Sequence, residues 1–384
     1  MLFEFATANR IVYGPGRIKE LASLIPESKG KAFLITSQNV DRAQSVIDLL
    51  KQHNIDTVKF KVGHEPTTGS VVEAVNKAKS EKCDMVVGIG GGSVIDTGKA
   101  VAEMLTNEGE LLDYLEVIGR GQKLVRPSVP YIAVPTTAGT GAEVTRNAVL
   151  SSPEHRVKVS MRSPFMLPAV ALVDPELTLS MPPDVTASTG LDALTQLLEA
   201  FVTKKANPLT DGICREGLAR AARSLRTAFS HGDDINARED MSLAGLFSGL
   251  ALANAGLGAV HGFAGPLGGL FNAPHGVICA RLLPFVVEAN VKAIRDTLPG
   301  SSLLNRFDEI ARILTGSTTA TASDGVNWIG ELCAELNVPP LSGYGMTEGD
   351  IPLAVEKSQK ASSMKGNPVE LEYDVLAEIL KRAL

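Results

Sequence analysis

Asp84-Met-Val-Val-Gly-Ile-Gly-Gly-Gly-Ser-Val-Ile-Asp-Thr-Gly-Lys99 passes from a short apolar run through a glycine triplet into a helical pattern. Residues 84–88 read as a buried strand and residues 94–105 as the helix that follows it. The same alternation continues on both sides. Lys31–Ser37 (KAFLITS), Asp56–Val62 and Tyr131–Pro135 (YIAVP) read as strands, and 41–53 and 70–79 as helices between them. Near-continuous apolar strands separated by helices predict a parallel sheet covered on both faces, an α/β Rossmann-like domain. In such sheets ligands bind beyond the carboxyl ends of the strands, which directs attention to the loops after Ser37, Gly88 and Pro135.

From about Pro183 onward the strand-like runs stop. Leu194, Leu197, Leu198 and Phe201 form one apolar helical stripe. Residues 174–183 are rich in proline and turn formers and mark the boundary. The expected organisation is an α/β domain over 1–180 and an all-α domain over 181–384, with the cleft between them as the default active site. There is no internal repeat and no low-complexity tract.

The chain has 384 residues with 37 basic and 43 acidic side chains, a formal charge of −6 and no basic block. That composition argues against nucleic acid and anionic membranes as partners. Cys83, Cys214, Cys279 and Cys333 are far apart, with no CxxC, and read as reduced, mostly buried thiols of a cytoplasmic protein. The opening MLFEFATANRIVYG lacks a basic n-region and a long apolar h-region, so no signal peptide is expected.

Residues 242–280 contain no Asp, Glu, Lys or Arg, yet they contain His261 and His275. The stretch is a membrane span, a buried core with two satisfied histidines, or half of a metal site. Residues 243–260 approach the length of a spanning helix. Ser248, Asn254, Pro266, Asn272 and Pro274 interrupt the segment, and no Trp/Tyr belt or Lys/Arg cluster flanks it. A buried helical hairpin is therefore expected, broken at Asn272-Ala-Pro274, with His275 in a first helical turn. Dehydration predicts neutral imidazoles, the form that binds a metal ion, and the helix dipole at His275 acts in the same direction. Asp192 and Gln196 are i,i+4 on a helix over 191–203 and share one face. Glu199 and Thr203 continue that face, so a solvated helix side is the competing reading. Two neutral histidines and one carboxylate make a zinc or ferrous site with an open position.

Gly90, Gly91 and Gly92 allow close approach of backbone to a pyrophosphate, and the helix N-terminus that follows offers N–H groups and positive dipole. Ser93 is placed to cap that helix or bond a phosphate oxygen. A tight turn with no ligand is the plainer alternative. The spacing excludes a Walker A loop, since Ala100 follows Lys99, and there is no clean GxGxxG with an acidic residue about twenty positions on. A second loop, Pro135-Thr-Thr-Ala-Gly-Thr-Gly-Ala-Glu143, offers the hydroxyls of Thr136, Thr137 and Thr140 to phosphate or ribose. Two such loops in one sheet point to a dinucleotide.

GGGSVID at 90–96, PTTAGTGAEVT at 135–145, TGLDALTQLLEA at 189–200 and HGFAGPLGGLFNAPHGV at 261–277 resemble the iron-containing (group III) alcohol dehydrogenases, in order along nearly the whole chain. The opening RIVYGPG at 10–16 is similar too. The resemblance implies a dehydroquinate synthase-like architecture, NAD or NADP as cofactor, and a divalent metal (Zn or Fe) held in the family by one Asp and three His. It carries Gly90, Gly91, Gly92, Ser93 and Asp96 to the cofactor, places Lys158 near it, and implies a homodimer. The chain departs from the family at two positions. Gln196 stands where the second ligand is a histidine, and Gly265 where a further histidine lies beside the substrate. The metal set carried over is Asp192, His261 and His275, with Gln196 as a weak oxygen ligand, similar to the zinc site of glycerol dehydrogenase. Ser37 stands where relatives place an acidic residue against the adenosine ribose, so NADP should be tolerated. Phe263 and Phe271 are expected either at an apolar pocket that Gly265 makes roomier or equally in the core.

The implied activity is hydride transfer between nicotinamide and a small alcohol or aldehyde, with the metal as Lewis acid. A metal-free reductase of the maleylacetate reductase type and a dehydroquinate synthase-like lyase are the alternatives. The lyase would need several Lys or Arg residues in its cleft, which the uncharged 242–280 stretch does not supply.

Overall fold

The computed structural model describes residues 2–26, 30–37, 40–63, 65–155, 157–271 and 273–384. Two compact units emerge: an α/β unit of Ala6–Thr137 with Gly141–Leu179, and a helical unit of Ser180–Leu384 joined by Ala138–Thr140 and residues 2–5.

In chain order the α/β unit contains β1 (Arg10–Tyr13), β2 (Lys31–Ser37), α1 (Val40–Gln52), β3 (Asp56–Val62), α2 (Thr68–Ser80), β4 (Met85–Gly90), α3 (Gly92–Met104), β5 (Tyr131–Pro135), β6 (Asn147–Ser152), β7 (Val157–Arg162) and β8 (Val170–Val173). Six strands form a parallel sheet in the order β1-β8-β5-β4-β2-β3. Side chains alternate between faces: Ala32 and Leu34 of β2 join one core, Phe33 and Ile35 the other. Every residue of β4 and β5 is buried, which explains why their sequences are apolar throughout. The chain leaves β2 for β3 on one side and β4 for β5 on the other, so adjacent strands β2 and β4 diverge at their carboxyl ends. This is the topological switch point of the sheet, the place where such folds bind ligands. The antiparallel pair β6–β7 stands apart from the sheet.

The helical unit continues with α4 (Pro183–Val202), α5 (Pro208–Ser230), α6 (Ile235–Ala255), α7 (Ala259–Phe271), α8 (His275–Thr297), α9 (Ser302–Thr315), α10 (Ala322–Glu335), α11 (Ile351–Gln359) and α12 (Tyr373–Ala383). Its core runs from Leu191 and Phe201 of α4 through Val260 and Phe263 of α7 to Ile278 and Leu282 of α8. Residues 138–140 pack into this unit: Ser248 Oγ donates to the Gly139 carbonyl at 2.9 Å. A side-chain carbon on Gly245 would lie 2.9 Å from the Gly139 nitrogen.

Among the described residues no single helix is long and apolar enough to cross a membrane; α6 and α7 reach that composition only as a pair bent by 99°. The hairpin breaks as expected, α7 ending at Phe271 and α8 starting at His275, although Asn272 lies outside the described residues.

Candidate metal centre and cofactor cradle

The face of α4 that carries Asp192 is interior, not a solvated helix side. Asp192, Gln196, Glu199 and Thr203 are all at most 5% exposed. Their polarity reflects what the helix packs against, not contact with water. The carboxylate and amide oxygens of Asp192, Gln196 and Glu199 in an apolar core need donors or cations, and α7 and α8 bring donors to the two carboxylates.

His261 lies in the first turn of α7 and His275 opens α8. A side-chain carbon on Gly276 would come 2.5 Å from the Ser188 carbonyl oxygen, so only glycine lets the first turn of α8 approach α4 this closely. The approach brings His275 Nε2 within 3.8 Å of Asp192 Oδ1, and His261 Nε2 within 3.3 Å of the same oxygen. The two imidazole centroids are 5.4 Å apart. Cys279, one turn after His275 on α8, places Sγ 3.7 Å from both Nε2 atoms. Asp192, His261, His275 and Cys279 each offer a ligand atom within 4.8 Å of the others.

The supporting contacts fix how these atoms are presented. Glu199 Oε2 accepts from His261 Nδ1 at 2.7 Å, and Glu199 Oε1 accepts from the Val260 N–H at 2.7 Å. One carboxylate thus ties down the start of α7 and leaves His261 Nε2 facing Asp192. Gln196 Nε2 donates to Asp192 Oδ2 at 3.1 Å. Asp192 Oδ1 and Gln196 Oε1 are buried without any hydrogen-bond partner. A carboxylate oxygen left without a hydrogen bond among nitrogen and sulfur donors is costly unless a cation sits against it. The donor set therefore fits a divalent metal ion. The side chain of His275 is 37% exposed while those of His261 and Asp192 are 7% and 2%, so the cluster opens on the His275 side.

Dehydration lowers both imidazoles, as expected, but it is not the only influence on them. Burial pushes His261 down, but Cys279, Asp192 and Glu199 outweigh it and hold the ring well above its ordinary 6.5. Burial likewise pushes His275 down, and Cys279 and Asp192 raise it on balance despite its position at a helix start. Burial pushes Asp192 up, and the two histidines more than reverse that. The pocket is built to hold positive charge.

Phe263 is fully buried in the helical core, one of the two places expected for it; Phe271 is only partly buried and packs against that core. A carbon on Gly265 would meet nothing within 4 Å, so space is open there.

In the α/β unit the glycine triplet links β4 to α3 at the switch point, and the register sets Ser37 at the end of β2 next to it. Ser93 does not cap the helix. Gly91 is the N-cap and provides no side-chain bond, because the triplet places Ser93 inside the first turn. Thr136 is buried and its N–H donates to the Gly90 carbonyl at 2.9 Å; the Thr137 side chain packs over Gly91. Thr140 belongs to the helical unit. Asp96 is a structural anchor, accepting from the Val149 N–H at 3.0 Å with Lys99 Nζ 3.4 Å away. Gly88 and Gly98 leave room for Tyr131, whose hydroxyl donates to the Ile95 carbonyl at 3.0 Å. Lys158 on β7 is neither a surface lysine nor free: its Nζ donates to Glu65 at 2.7 Å, and its side chain is 7% exposed.

Two contributors escaped the sequence reading. The sequence offers Glu199 only as part of the helix face with Asp192, and Cys279 only as one of four reduced, mostly buried thiols. The signal for Cys279 was its i,i+4 spacing from His275 within the uncharged stretch.

Residues 8–175 match the iron-containing alcohol dehydrogenase family model, and residues 186–384 match the Fe-containing alcohol dehydrogenase family, C-terminal. A 1,3-propanediol dehydrogenase of Citrobacter freundii is 34% identical over 100% of this chain and 99% of its own length. The crystal structure of a 1,3-propanediol oxidoreductase superposes with a TM-score of 0.91 at 33% identity, covering 100% of both chains. A sulfoacetaldehyde reductase from Bifidobacterium kashiwanohense, solved in complex with NAD+, gives 0.88 at 29% identity, covering 100% of this chain and 99% of that one.

Proposed function

The chain belongs to the iron-containing alcohol dehydrogenase family and is an oxidoreductase acting on CH–OH groups, and from that premise we propose a metal-dependent, NAD(P)-linked interconversion of a small alcohol and its aldehyde. The observation that carries the metal is the convergence of Asp192, His261 and His275 on one point, with Asp192 Oδ1 buried and without a hydrogen bond.

A divalent ion held there supplies Lewis acidity that favours the alkoxide form of the alcohol. The protein's own groups do the rest. Glu199 keeps a proton on His261 Nδ1, so that Nε2 presents its lone pair inward. Gln196 holds Asp192 Oδ2 and leaves Oδ1 directed at the site. The uncharged walls from 242–280 keep the local dielectric low, which strengthens charge stabilisation at the substrate oxygen. With Gly265 offering no imidazole, the hydroxyl proton passes to water at the exposed His275 side. A bound nicotinamide cofactor would supply or take up the hydride.

For the dinucleotide, the uncapped N-terminus of α3 supplies backbone donors to a pyrophosphate, and Ser37 presents no carboxylate to repel a 2′-phosphate. NADP is therefore accepted alongside NAD. The edge strand β1 pairs only with β8 in the sheet order, leaving backbone groups on which a second copy can dock.

The test is metal analysis of freshly purified protein paired with NADH and NADPH oxidation over a panel of small aldehydes. Stoichiometric metal with turnover that chelation abolishes and zinc or iron(II) restores is the expected result. Undiminished turnover by fully demetallated protein would overturn the metal; absence of turnover with every aldehyde and either cofactor would overturn the reaction.

A further inference from the structure

We propose that Cys279 is a metal ligand, binding as thiolate, and that it gives the site an Asp192–His261–His275–Cys279 donor set selective for zinc over iron(II). The inference rests on the metal reading above and names which side chain completes the site.

The geometry is that of a ligand. Zinc bonds of about 2.0–2.1 Å to nitrogen or oxygen and about 2.3 Å to sulfur, spread tetrahedrally, place neighbouring ligand atoms roughly 3.3–3.6 Å apart. The separations here are 3.3 Å (His261 Nε2 to Asp192 Oδ1), 3.7 Å (Cys279 Sγ to each Nε2) and 3.8 Å (His275 Nε2 to Asp192 Oδ1). Cys279 shares a face of α8 with His275 one turn earlier, so one rigid helix sets both. The thiol is fully buried, and the atoms it faces include Asp192 Oδ1, which has no hydrogen bond.

Gln196 is the rival. Its amide nitrogen is bound to Asp192 Oδ2, and its oxygen is a neutral donor of low affinity for zinc or iron(II). A thiolate brings negative charge and softness. Together with Asp192 it neutralises a divalent cation; among the described residues the other nearby acid, Glu199, is committed to His261 and Val260. Thiolate donors favour zinc, whereas oxygen and nitrogen donors leave iron(II) competitive. On metal binding the S–H proton leaves to water and the sulfur–metal bond forms; no electrons are transferred. The exposed side at His275 leaves an approach by which a substrate oxygen could reach the cluster.

The full-length protein, stripped by chelation and reloaded with cobalt(II), reports the ligand directly. The expected result is a sulfur-to-cobalt charge-transfer band in the near ultraviolet, present in wild type and in Gln196→Ala and absent in Cys279→Ser. From equimolar zinc and iron(II), wild type should retain zinc in at least tenfold excess, and Cys279→Ser should lose most of that preference. Stoichiometric cobalt binding by wild type without the charge-transfer band would overturn the role of Cys279 while leaving the metal site standing. A Gln196→Ala protein that loses the metal outright, with Cys279→Ser unaffected, would do the same in favour of the amide. Failure of wild type to bind cobalt, zinc or iron(II) at all would overturn the metal reading itself, and this inference with it. The wild-type spectrum requires no variant to fold.

Discussion

Glu199 grips His261 from behind: its carboxylate oxygen lies 2.7 Å from the Nδ1 of the ring whose Nε2 faces Asp192. The other oxygen of the same carboxylate holds the Val260 N–H at the start of α7. One buried acid therefore sets both the position of the helix and the tautomer of the ligand it carries.

Glu199→Gln retains size and removes the charge. Its amide can accept from only one of the two donors, so the ring loses its orientation or the helix start loses its anchor. Metal affinity should fall about 10–100-fold. A chelator-competition titration of zinc measures this, and an affinity within twofold of wild type would show that Glu199 is not a supporting residue.

Gly265→His tests the open space beside the cluster. Because a side-chain carbon there meets nothing within 4 Å, the variant should fold with a melting temperature at or above that of wild type, glycine being a poor residue inside a helix. The pH–rate profile should gain an ionisation near the ordinary histidine value of about 6.5, and bulky aldehydes should lose kcat/KM relative to small ones. An unchanged profile together with unchanged selectivity would remove Gly265 from the pocket.

Much of this was readable before any coordinates. β2 and β5 fall where their apolar runs placed them, because strands buried on both faces have no polar positions to blur their ends; the edge strand β3 also falls where expected, with its lysines exposed. β1 and β8 were not recognised as strands, being only four residues each. The hairpin β6–β7 is half exposed and mixed in composition, so it carries neither pattern cleanly. At the site, Asp192, His261 and His275 announced themselves because a charge or an imidazole in apolar surroundings needs a reason. Glu199 did not, since periodicity along α4 cannot reveal that a different helix begins against it. Ser93 lies two positions past the cap it was expected to provide, a distance within the ordinary uncertainty of a helix start.

Ser37→Asp should move cofactor preference. It adds a carboxylate at the end of β2, beside the switch point, where it repels a 2′-phosphate and accepts from a ribose hydroxyl. The ratio of kcat/KM for NADPH over NADH should drop at least tenfold. A ratio that does not move would place the adenosine ribose elsewhere.

Glu103 makes stability depend on pH. It is fully buried in α3, its Oε1 has no partner, and burial raises its carboxyl from 4.5 to about 8. Between those values the folded chain holds a proton that the unfolded chain has released. Stability contributed by the neutral acid is therefore complete below about 4.5 and declines as pH rises towards about 8, by an amount on the order of a few kcal/mol. Glu103→Gln should flatten that part of the curve and raise the melting temperature more at pH 8 than at pH 5. Parallel denaturation curves for variant and wild type across this range would refute it.

Residues 138–140 belong to the helical unit although some forty residues of the α/β unit follow them in the chain. Ser248 and Gly245 close around Gly139, so a fragment beginning at Ser180 would be missing part of its own interior. Neither half can be lifted out by cutting the gene once. The two must be inherited, shuffled or engineered as a single reading frame, and any graft of this helical body onto another scaffold has to bring those three residues along.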